Sequence, residues 1–227
     1  KAQLNNINYN DINSVDRYSN VIRDAIFRTP LPKKLQQEII ASFKKLRATR
    51  VAVRSSATAE DSKTASFAGE LETYLNTTEK TLISNIKKCW SSLYTPRALF
   101  YCHEKKLLAA PVSVAVVMQK MIASEVSGVA FTVHPVTEDK NEMIIEACFG
   151  LGEALVSGQV TPDSYIIDKP SLAITKIIVS EQKRKLRESR GEGVVWRAIP
   201  KKEQNHQKLS NAIIKKLAGL SIKIEKH

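Results

Sequence analysis

The hydrophobic pattern of the chain changes near residue 110, and this change constrains the fold more than any other feature of the sequence. Before it, apolar residues recur at helical spacings over residues 31–46 and 82–94. After it come short runs rich in β-branched residues, at 112–121, 126–133, 143–149, 164–167 and 174–179. Because short turns separate these runs, antiparallel pairing is favoured over helical crossovers. We therefore predict an α+β protein of two lobes, residues 1–110 and residues 111–227, with a ligand cleft between them.

The two ends of the chain differ in pattern. Residues 1–30 are rich in Asn, Asp and Ser and carry little periodicity. A helix is predicted over residues 207–226, with apolar residues on one side at Leu209, Ile213, Ile214, Leu217, Leu220 and Ile224. This helix runs to His227 without a C-cap glycine, and we therefore expect the chain to be a fragment.

The chain of 227 residues carries a formal net charge of +12, which is unevenly distributed. Residues 171–227 hold 14 Lys and Arg against 5 Glu, and the run 183–187 is the densest part. Such a surplus can attract nucleic acid, anionic membranes or phosphorylated ligands. No zinc-finger spacing, RNA-binding aromatic pattern or basic amphipathic anchor accompanies it, so a solvated surface is the favoured interpretation.

Neither a membrane segment nor a secretion signal is indicated. The first ten residues are polar, and no apolar stretch approaches the length of about 20 residues that a spanning helix needs. The three cysteines are widely spaced and form no CxxC pair, which argues against a zinc knuckle or a disulfide framework. We expect a cytoplasmic protein without a membrane partner.

Arg54 ends the β-type run that begins at Val51 and is followed by the hydroxyl-rich segment 55–58. Its planar, permanently charged guanidinium suits an oxygen-rich anion such as phosphate. The alternative is a local ion pair with Glu60 or Asp61. Both interpretations stay open from this position alone.

Two further positions are candidates for ligand contacts. Gly69 stands between small residues just before a strand, where a glycine lets the backbone approach a ligand, or simply forms a turn. Gln119 ends an apolar strand, where a carboxamide can read the edge of a purine, or simply face solvent.

The glycine-rich turn 150–153 follows the strand that ends at Phe149, but it has neither the dinucleotide nor the P-loop spacing. Glu146, Glu153 and Asp163 lie near it and can hold a divalent ion or serve as structural carboxylates. The four histidines form neither a metal-ligand spacing nor a catalytic triad order. No hydrolase is therefore indicated.

Several segments together resemble one family, the nucleotide-binding domain shared by phosphoenolpyruvate synthase, pyruvate phosphate dikinase and rifamycin phosphotransferase. The segments occur in the family's order: VAVRSSATAED (51–61), SFAG (66–69), VMQKM (117–121), SGVAFT (127–132), GLGE (150–153) and PD (162–163). The resemblance covers residues 30–227 and implies an ATP-grasp fold. It also implies a dikinase reaction in the full enzyme, in which a histidine on a separate domain takes the β-phosphate of ATP and passes it to an acceptor.

The resemblance also assigns roles to residues. Arg54 matches the family's phosphate-binding arginine, Gly69 and Thr73 match positions near the phosphates, and Gln119 matches the residue beside the adenine. Pyruvate is the acceptor in the leading hypothesis, a phosphoenolpyruvate synthase; a rifamycin phosphotransferase or a pyruvate phosphate dikinase is the alternative. A basic module that binds nucleic acid and a degenerate structural domain are the alternatives from other classes.

The departures from the family pattern bear on activity. Nothing before Arg54 matches the family's phosphate-binding lysine, and its metal-binding glutamate and Gln-Ser-Arg-Pro segment are expected beyond residue 227. We therefore expect a fragment truncated at both ends, with no catalytic residue of its own and with most Mg²⁺ ligands elsewhere. Alone, it is expected to be inactive, since the phosphohistidine and pyruvate-binding domains are absent from it.

Overall fold

The fold was obtained as a computed structural model that describes residues 3–57, 71–107 and 113–227. The chain divides into two compact units: one comprises Lys1–Met121 with Gly191–Gly193, and the other comprises Ile122–Arg190 with Val194–His227. Both units combine helices with antiparallel sheet, which confirms the α+β prediction and is compatible with an ATP-grasp fold. The predicted division into two lobes, residues 1–110 and residues 111–227, stays a prediction.

The first unit consists of helices and a three-stranded sheet. Its elements are α1 (Ile12–Arg28), α2 (Lys33–Lys45), β1 (Val51–Ala57), β2 (Thr73–Thr77), α3 (Leu82–Ser92), α4 (Pro96–Glu104) and β3 (Val114–Lys120), after a 3-10 turn at Leu4–Asn6. The strand order is β2-β1-β3, and both pairings are antiparallel. Its core lies between the sheet and the helices α2 and α3, where Val51 and Val53 contact Phe43, Leu82 and Ile86.

Helix α1 lies in residues 1–30, where the sequence was interpreted as carrying little periodicity, and shows that this interpretation is wrong. Asp11 caps this helix by accepting a hydrogen bond from the amide of Asn13. Only Val15 and Ser19 are buried along its 17 residues. The Ser19 hydroxyl donates to the carbonyl of Tyr94 over 2.6 Å. The buried and half-buried residues Val15, Tyr18, Ile22 and Ile26 recur at helical spacing, so an apolar repeat is present but lies among many Asn, Asp, Ser and Arg residues.

The second unit consists of a four-stranded sheet, a hairpin and one long helix. Its elements are β4 (Val126–Phe131), β5 (Glu142–Phe149), the single-turn α5 (Glu153–Val156), β6 (Asp163–Asp168), β7 (Ala173–Ile178), β8 (Arg184–Glu188), β9 (Val194–Ala198) and α6 (Asn211–Glu225), with a 3-10 turn at Lys201–Glu203. The sheet order is β4-β5-β6-β7, and every neighbouring pair is antiparallel, as the short turns predict.

The β8–β9 hairpin was not predicted, because β8 coincides with the densest run of basic residues. Within this run only Leu186 is buried, at 5% exposure, and its partner across the hairpin is Trp196. Arg184 lies over the Trp196 ring at 4.2 Å from its centroid. The charges therefore stay at the surface while one leucine attaches the strand to the unit.

Helix α6 confirms the predicted C-terminal helix and buries only some of its apolar residues. Its inner side packs on β5 and β7, and Ile214 and Ala218 join Met143, Ile145 and Tyr165 in the core. Of the six apolar residues predicted to lie on one side, only Leu209 and Ile214 are buried, and the other four are exposed. None of the described helices is long and apolar enough to cross a membrane.

Candidate functional site

Arg54 lies on the open face of the first unit's sheet. Side chains alternate along β1, so Val51 and Val53 point into the helical core while Arg54 points the other way and is exposed. The register pairs Arg54 with Thr73 on β2 and with Val117 on β3. Cross-strand partners share a face, and these three side chains therefore lie side by side.

Gln119 joins this row from the edge strand. It lies two residues beyond Val117 on β3 and so on the same face, diagonal to Arg54. The Arg54 Nη1 atom donates a hydrogen bond to Gln119 Oε1 over 3.2 Å. The structure thus brings together three of the four predicted site residues, Arg54, Thr73 and Gln119. Gly69 falls outside the described residues.

The local ion pair that was left open for Arg54 involves Glu60 and Asp61, which also fall outside the described residues. Within the described part of the chain, the contact of the Arg54 guanidinium is with a neutral carboxamide. This contact does not neutralise the guanidinium, so among the described residues its positive charge is still able to attract an anion.

A depression of about 530 Å³ runs along β1 and β3 and reaches the end of α2. Its walls are formed by Leu46, Arg54, Ser55, Ser56, Val117, Met118, Gln119 and Lys120. Arg54 and Lys120 supply positive charge, Ser56 supplies a hydroxyl donor, and Val117, 49% exposed, supplies an apolar surface, whereas the Ser55 hydroxyl donates to the carbonyl of Glu72 over 2.9 Å. This combination fits a ligand that has both a flat apolar ring and an anionic group.

Lys120 and Leu46 were not identified as site residues from the sequence. Lys120 follows Gln119 directly, and strand alternation alone assigns it to the opposite face. Leu46 lies just after α2, where its periodicity predicts a core role. Strand β3 is at the edge of the described sheet, so side chains on both of its faces can border the depression.

The glycine-rich turn after β5 is held in place by its neighbours. Gly150 has φ of +90°, and a Cβ at this position would collide with the backbone of Leu186. The buried carboxamide of Gln182 accepts a hydrogen bond from the Phe149 amide over 2.8 Å and donates to the Phe149 carbonyl over 3.0 Å. Burial raises the pKa of the Glu153 carboxyl at the start of α5.

Asp163, one of the three carboxylates considered for a divalent ion, is fully buried and engaged by protein donors. Its Oδ1 lies 2.7 Å from Nζ of Lys208 and accepts from the amide of Ser180, and its Oδ2 accepts from the hydroxyl of Tyr165. These contacts favour the structural role that was left open. Over residues 3–57, 71–107 and 113–227, no group of three or more His, Cys, Asp or Glu side chains is arranged to hold a metal ion.

Comparison with known proteins identifies the chain's relatives. The family described as "Pyruvate phosphate dikinase, AMP/ATP-binding domain" matches residues 1–227. A probable phosphoenolpyruvate synthase of Archaeoglobus fulgidus is 44% identical over 230 residues, which cover 99% of this chain and 30% of that protein. A probable phosphoenolpyruvate synthase of Methanocaldococcus jannaschii is 40% identical over 232 residues, which cover 99% of this chain and 19% of that protein. The phosphoenolpyruvate synthase of Aeropyrum pernix is 42% identical over 178 residues, which cover 75% of this chain and 22% of that protein. The chain thus spans less than a third of the length of these relatives.

Proposed function

Since the chain belongs to the pyruvate phosphate dikinase AMP/ATP-binding domain family, as its ordered motifs predict, we propose that it is the ATP-binding domain of a phosphoenolpyruvate synthase. In the full enzyme, a histidine of another domain attacks the β-phosphate of ATP, and that phosphate passes to the enol oxygen of pyruvate. ATP, pyruvate and water thereby yield phosphoenolpyruvate, AMP and inorganic phosphate. The relatives' names support pyruvate as the acceptor over a rifamycin.

The observation that carries this proposal is the row formed by Arg54, Thr73 and Gln119 on one open sheet face. In our proposal, the Arg54 guanidinium binds the ATP phosphates and offsets the charge that shifts during transfer, because it presents planar donors and a positive charge. The Thr73 hydroxyl adds a donor beside it. Gln119 contacts the adenine, which lies along the apolar surface of Val117. Gly69 is proposed to approach the phosphates through its backbone.

Mg²⁺, when bound with ATP, neutralises charge between the phosphates. Because the described residues offer no carboxylate cluster for it, we propose that its ligands lie elsewhere in the longer protein. The phosphohistidine and the pyruvate site belong to that remainder as well. A cytoplasmic location is proposed because all three cysteines are buried and form no disulfide, as is usual in a reducing compartment.

Nucleotide titrations of the full-length protein test the residue roles. A hydrogen bond to a charged group contributes about 1.5–3 kcal/mol, so Arg54→Met is expected to weaken ATP binding by about 10- to 100-fold. Its effect on adenosine should be small, since adenosine has no phosphate. Gln119→Ala is expected to weaken adenosine binding by about 2- to 10-fold, and ATP binding by no more than that.

Arg28→Met is the matched control, because it removes the same charge at an exposed pair with Asp24 on α1. Arg54→Met binding ATP within twofold of the unaltered protein would refute the proposed site. Full-length protein that releases AMP in the presence of a rifamycin but not of pyruvate would refute the proposed acceptor. Tight, steeply salt-dependent binding of nucleic acid without ATP binding would favour the basic-module alternative.

A further inference from the structure

The β8–β9 hairpin carries three cations on one face. Side chains alternate between its two faces, and Leu186 and its cross-strand partner Trp196 share the face by which β8 is attached to the second unit. Lys185 and Arg187 occupy the intervening positions of β8 and therefore lie on the other face. The register pairs Lys185 with Arg197 of β9, and Arg187 is diagonal to Arg197. We call the face formed by Lys185, Arg187 and Arg197 the cationic face.

The charges of the cationic face are not neutralised by the part of the chain that the structure describes. Directly opposed side chains of an antiparallel pair have Cβ atoms about 4.5–5.5 Å apart, and like charges at such positions destabilise the pair. Among the described residues, no carboxylate forms an ion pair with any of the three cations. Arg187 donates to the neutral carbonyl of Ser124 over 3.3 Å, whereas the nearby Lys183 pairs with Glu181 over 3.2 Å. An anion bound over the cationic face would relieve this repulsion.

The glycine-rich turn after β5 helps to hold the cationic side chains in place. Strand β8 borders this turn, since the Leu151 amide donates to the Leu186 carbonyl over 2.9 Å. A Cβ at Gly150 would lie 3.1 Å from the Cβ of Lys185, so the glycine leaves the room that the lysine stem needs. Lys185 and Arg187 are half-buried. They therefore lose less conformational freedom on binding a ligand than fully exposed side chains would.

We propose that the cationic face is a second anion site, which binds a small ligand with two or more phosphoryl groups. Three adjacent cations that present hydrogen-bond donors suit such a compact polyanion. Single-stranded nucleic acid is disfavoured as the ligand, because it binds through bases that stack on free aromatic rings. The hairpin's aromatic ring, Trp196, lies on the opposite face, and Arg184 covers it at 4.2 Å from the centroid. The proposal goes beyond the ATP-binding roles of Arg54, Thr73 and Gln119, which belong to the first unit.

Lysine acetylation of the full-length protein tests the site. An uncharged acetylating reagent modifies Lys185 at a rate that mass spectrometry of its peptide measures, and the exposed Lys216 on α6 is the internal control. Saturating tripolyphosphate is expected to slow acetylation of Lys185 at least fivefold and to leave Lys216 unchanged, because a bound anion covers the Lys185 amine. Sodium chloride at the same ionic strength should leave both rates nearly unchanged, since it screens charge without occupying the site.

Inorganic polyphosphates and nucleotides share the chemistry of the proposed ligand, and ATP distinguishes them. Protection of Lys185 by ATP and by tripolyphosphate at similar concentrations would support a site that accepts nucleotides. Protection by tripolyphosphate alone would support an inorganic ligand. Arg54→Met should leave the protection by tripolyphosphate unchanged, even if it abolishes ATP binding at the site proposed above. Loss of protection in Arg54→Met would show that the anion occupies that site and would overturn a second one.

Substitution within the cationic face completes the test. Arg197→Met is expected to raise the tripolyphosphate concentration for half-protection of Lys185 by about tenfold, the contribution of one hydrogen bond to a charged group. Arg28→Met, which removes the same charge at an exposed pair on α1, should not change it. A shift of less than twofold for Arg197→Met would overturn the proposal. So would equal protection by sodium chloride, or stronger protection by a single-stranded oligonucleotide at equal phosphate concentration, which would favour nucleic acid.

Discussion

The ion pair between Asp163 and Lys208 is predicted to be the most sensitive polar contact of the second unit. Both side chains are fully excluded from solvent, and Oδ1 of Asp163 lies 2.7 Å from Nζ of Lys208. The carboxylate also accepts from the amides of Ser180 and Lys208, each over 2.9 Å, and from the hydroxyl of Tyr165 over 2.8 Å. The ammonium donates to the Ser180 carbonyl and lies over the ring of Phe149.

The two partners are expected to respond unequally to substitution. Removing one partner of a buried pair costs about 3–5 kcal/mol, because the other charge stays buried without compensation. After Lys208→Met, three neutral donors still bind the Asp163 carboxylate, so a loss of about 3 kcal/mol in the free energy of opening is expected. Asp163→Asn leaves a buried ammonium and turns an amide NH₂ towards backbone donors, so about 5 kcal/mol is expected. The double variant should cost at least about 1 kcal/mol less than the sum of the two.

Amide hydrogen exchange of β6 in the native protein measures these costs, because it reports the free energy of local opening. A loss of 3 kcal/mol corresponds to exchange about 100-fold faster, and 5 kcal/mol to several thousandfold. Lys183→Met is the matched control, since its pair with Glu181 is 3.2 Å long but largely exposed. An increase of less than about fivefold for Lys208→Met, or strictly additive single substitutions, would refute the reasoning.

Three further predictions concern the loop after β5 and the buried thiols. Gly150→Ala should destabilise the second unit by more than about 2 kcal/mol in denaturant unfolding, because the alanine would be strained at φ of +90° and would collide with backbone. Gly158 also has a positive φ but has open space around it, so Gly158→Ala should cost only about 1 kcal/mol. Equal costs would contradict this. Gln182→Ala removes the side-chain partner of the Phe149 amide and carbonyl at the end of β5. It should therefore speed amide exchange at the end of β5 about 10- to 100-fold. Unchanged exchange would show that water replaces the side chain. Burial raises the pKa of Cys89 to about 12 and that of Cys148 to about 11. Both thiols therefore stay protonated at pH 8 and should resist iodoacetamide. The folded protein should also lose stability as the pH rises from about 9 towards those pKa values, because only the unfolded chain releases these protons in that range. Rapid labelling at pH 8 without unfolding would contradict this prediction.

The strands and most helices could be predicted from the sequence because their patterns are local. The runs that became β3 to β7 are recognised by β-branched residues and short turns, and α3 and α4 by apolar spacing with a break at Pro96. Two elements were missed because polar or charged residues obscure their apolar pattern. In α1 the repeat of Val15, Ile22 and Ile26 lies among Asn, Asp, Ser and Arg residues, and in β8 one buried leucine lies among basic residues.

Parts of the candidate site could be predicted residue by residue, but their arrangement could not. Arg54 and Gln119 were selected from strand ends and from the family motifs, yet they are 65 positions apart in the chain. Their contact depends on the pairing register of β1 and β3, and a shift of one residue would turn the Gln119 side chain to the opposite face. Asp163 illustrates the reverse case, because a carboxylate near a glycine-rich turn is equally consistent with a metal ligand until its buried partner, Lys208, is known.

The contact between Arg54 and Gln119 also explains why their substitutions should affect nucleotides differently. In the proposed complex, the guanidinium binds phosphates and the carboxamide contacts the adenine, so their mutual hydrogen bond must break when ATP binds. This bond is long, at 3.2 Å, and lies on the exposed face of the sheet. An exposed hydrogen bond of this kind contributes about 1 kcal/mol or less, and a polyanion readily compensates for its loss. Removing the Gln119 carboxamide therefore withdraws an adenine contact but also releases Arg54 for the phosphates, which is why Gln119→Ala should weaken adenosine binding at least as much as ATP binding.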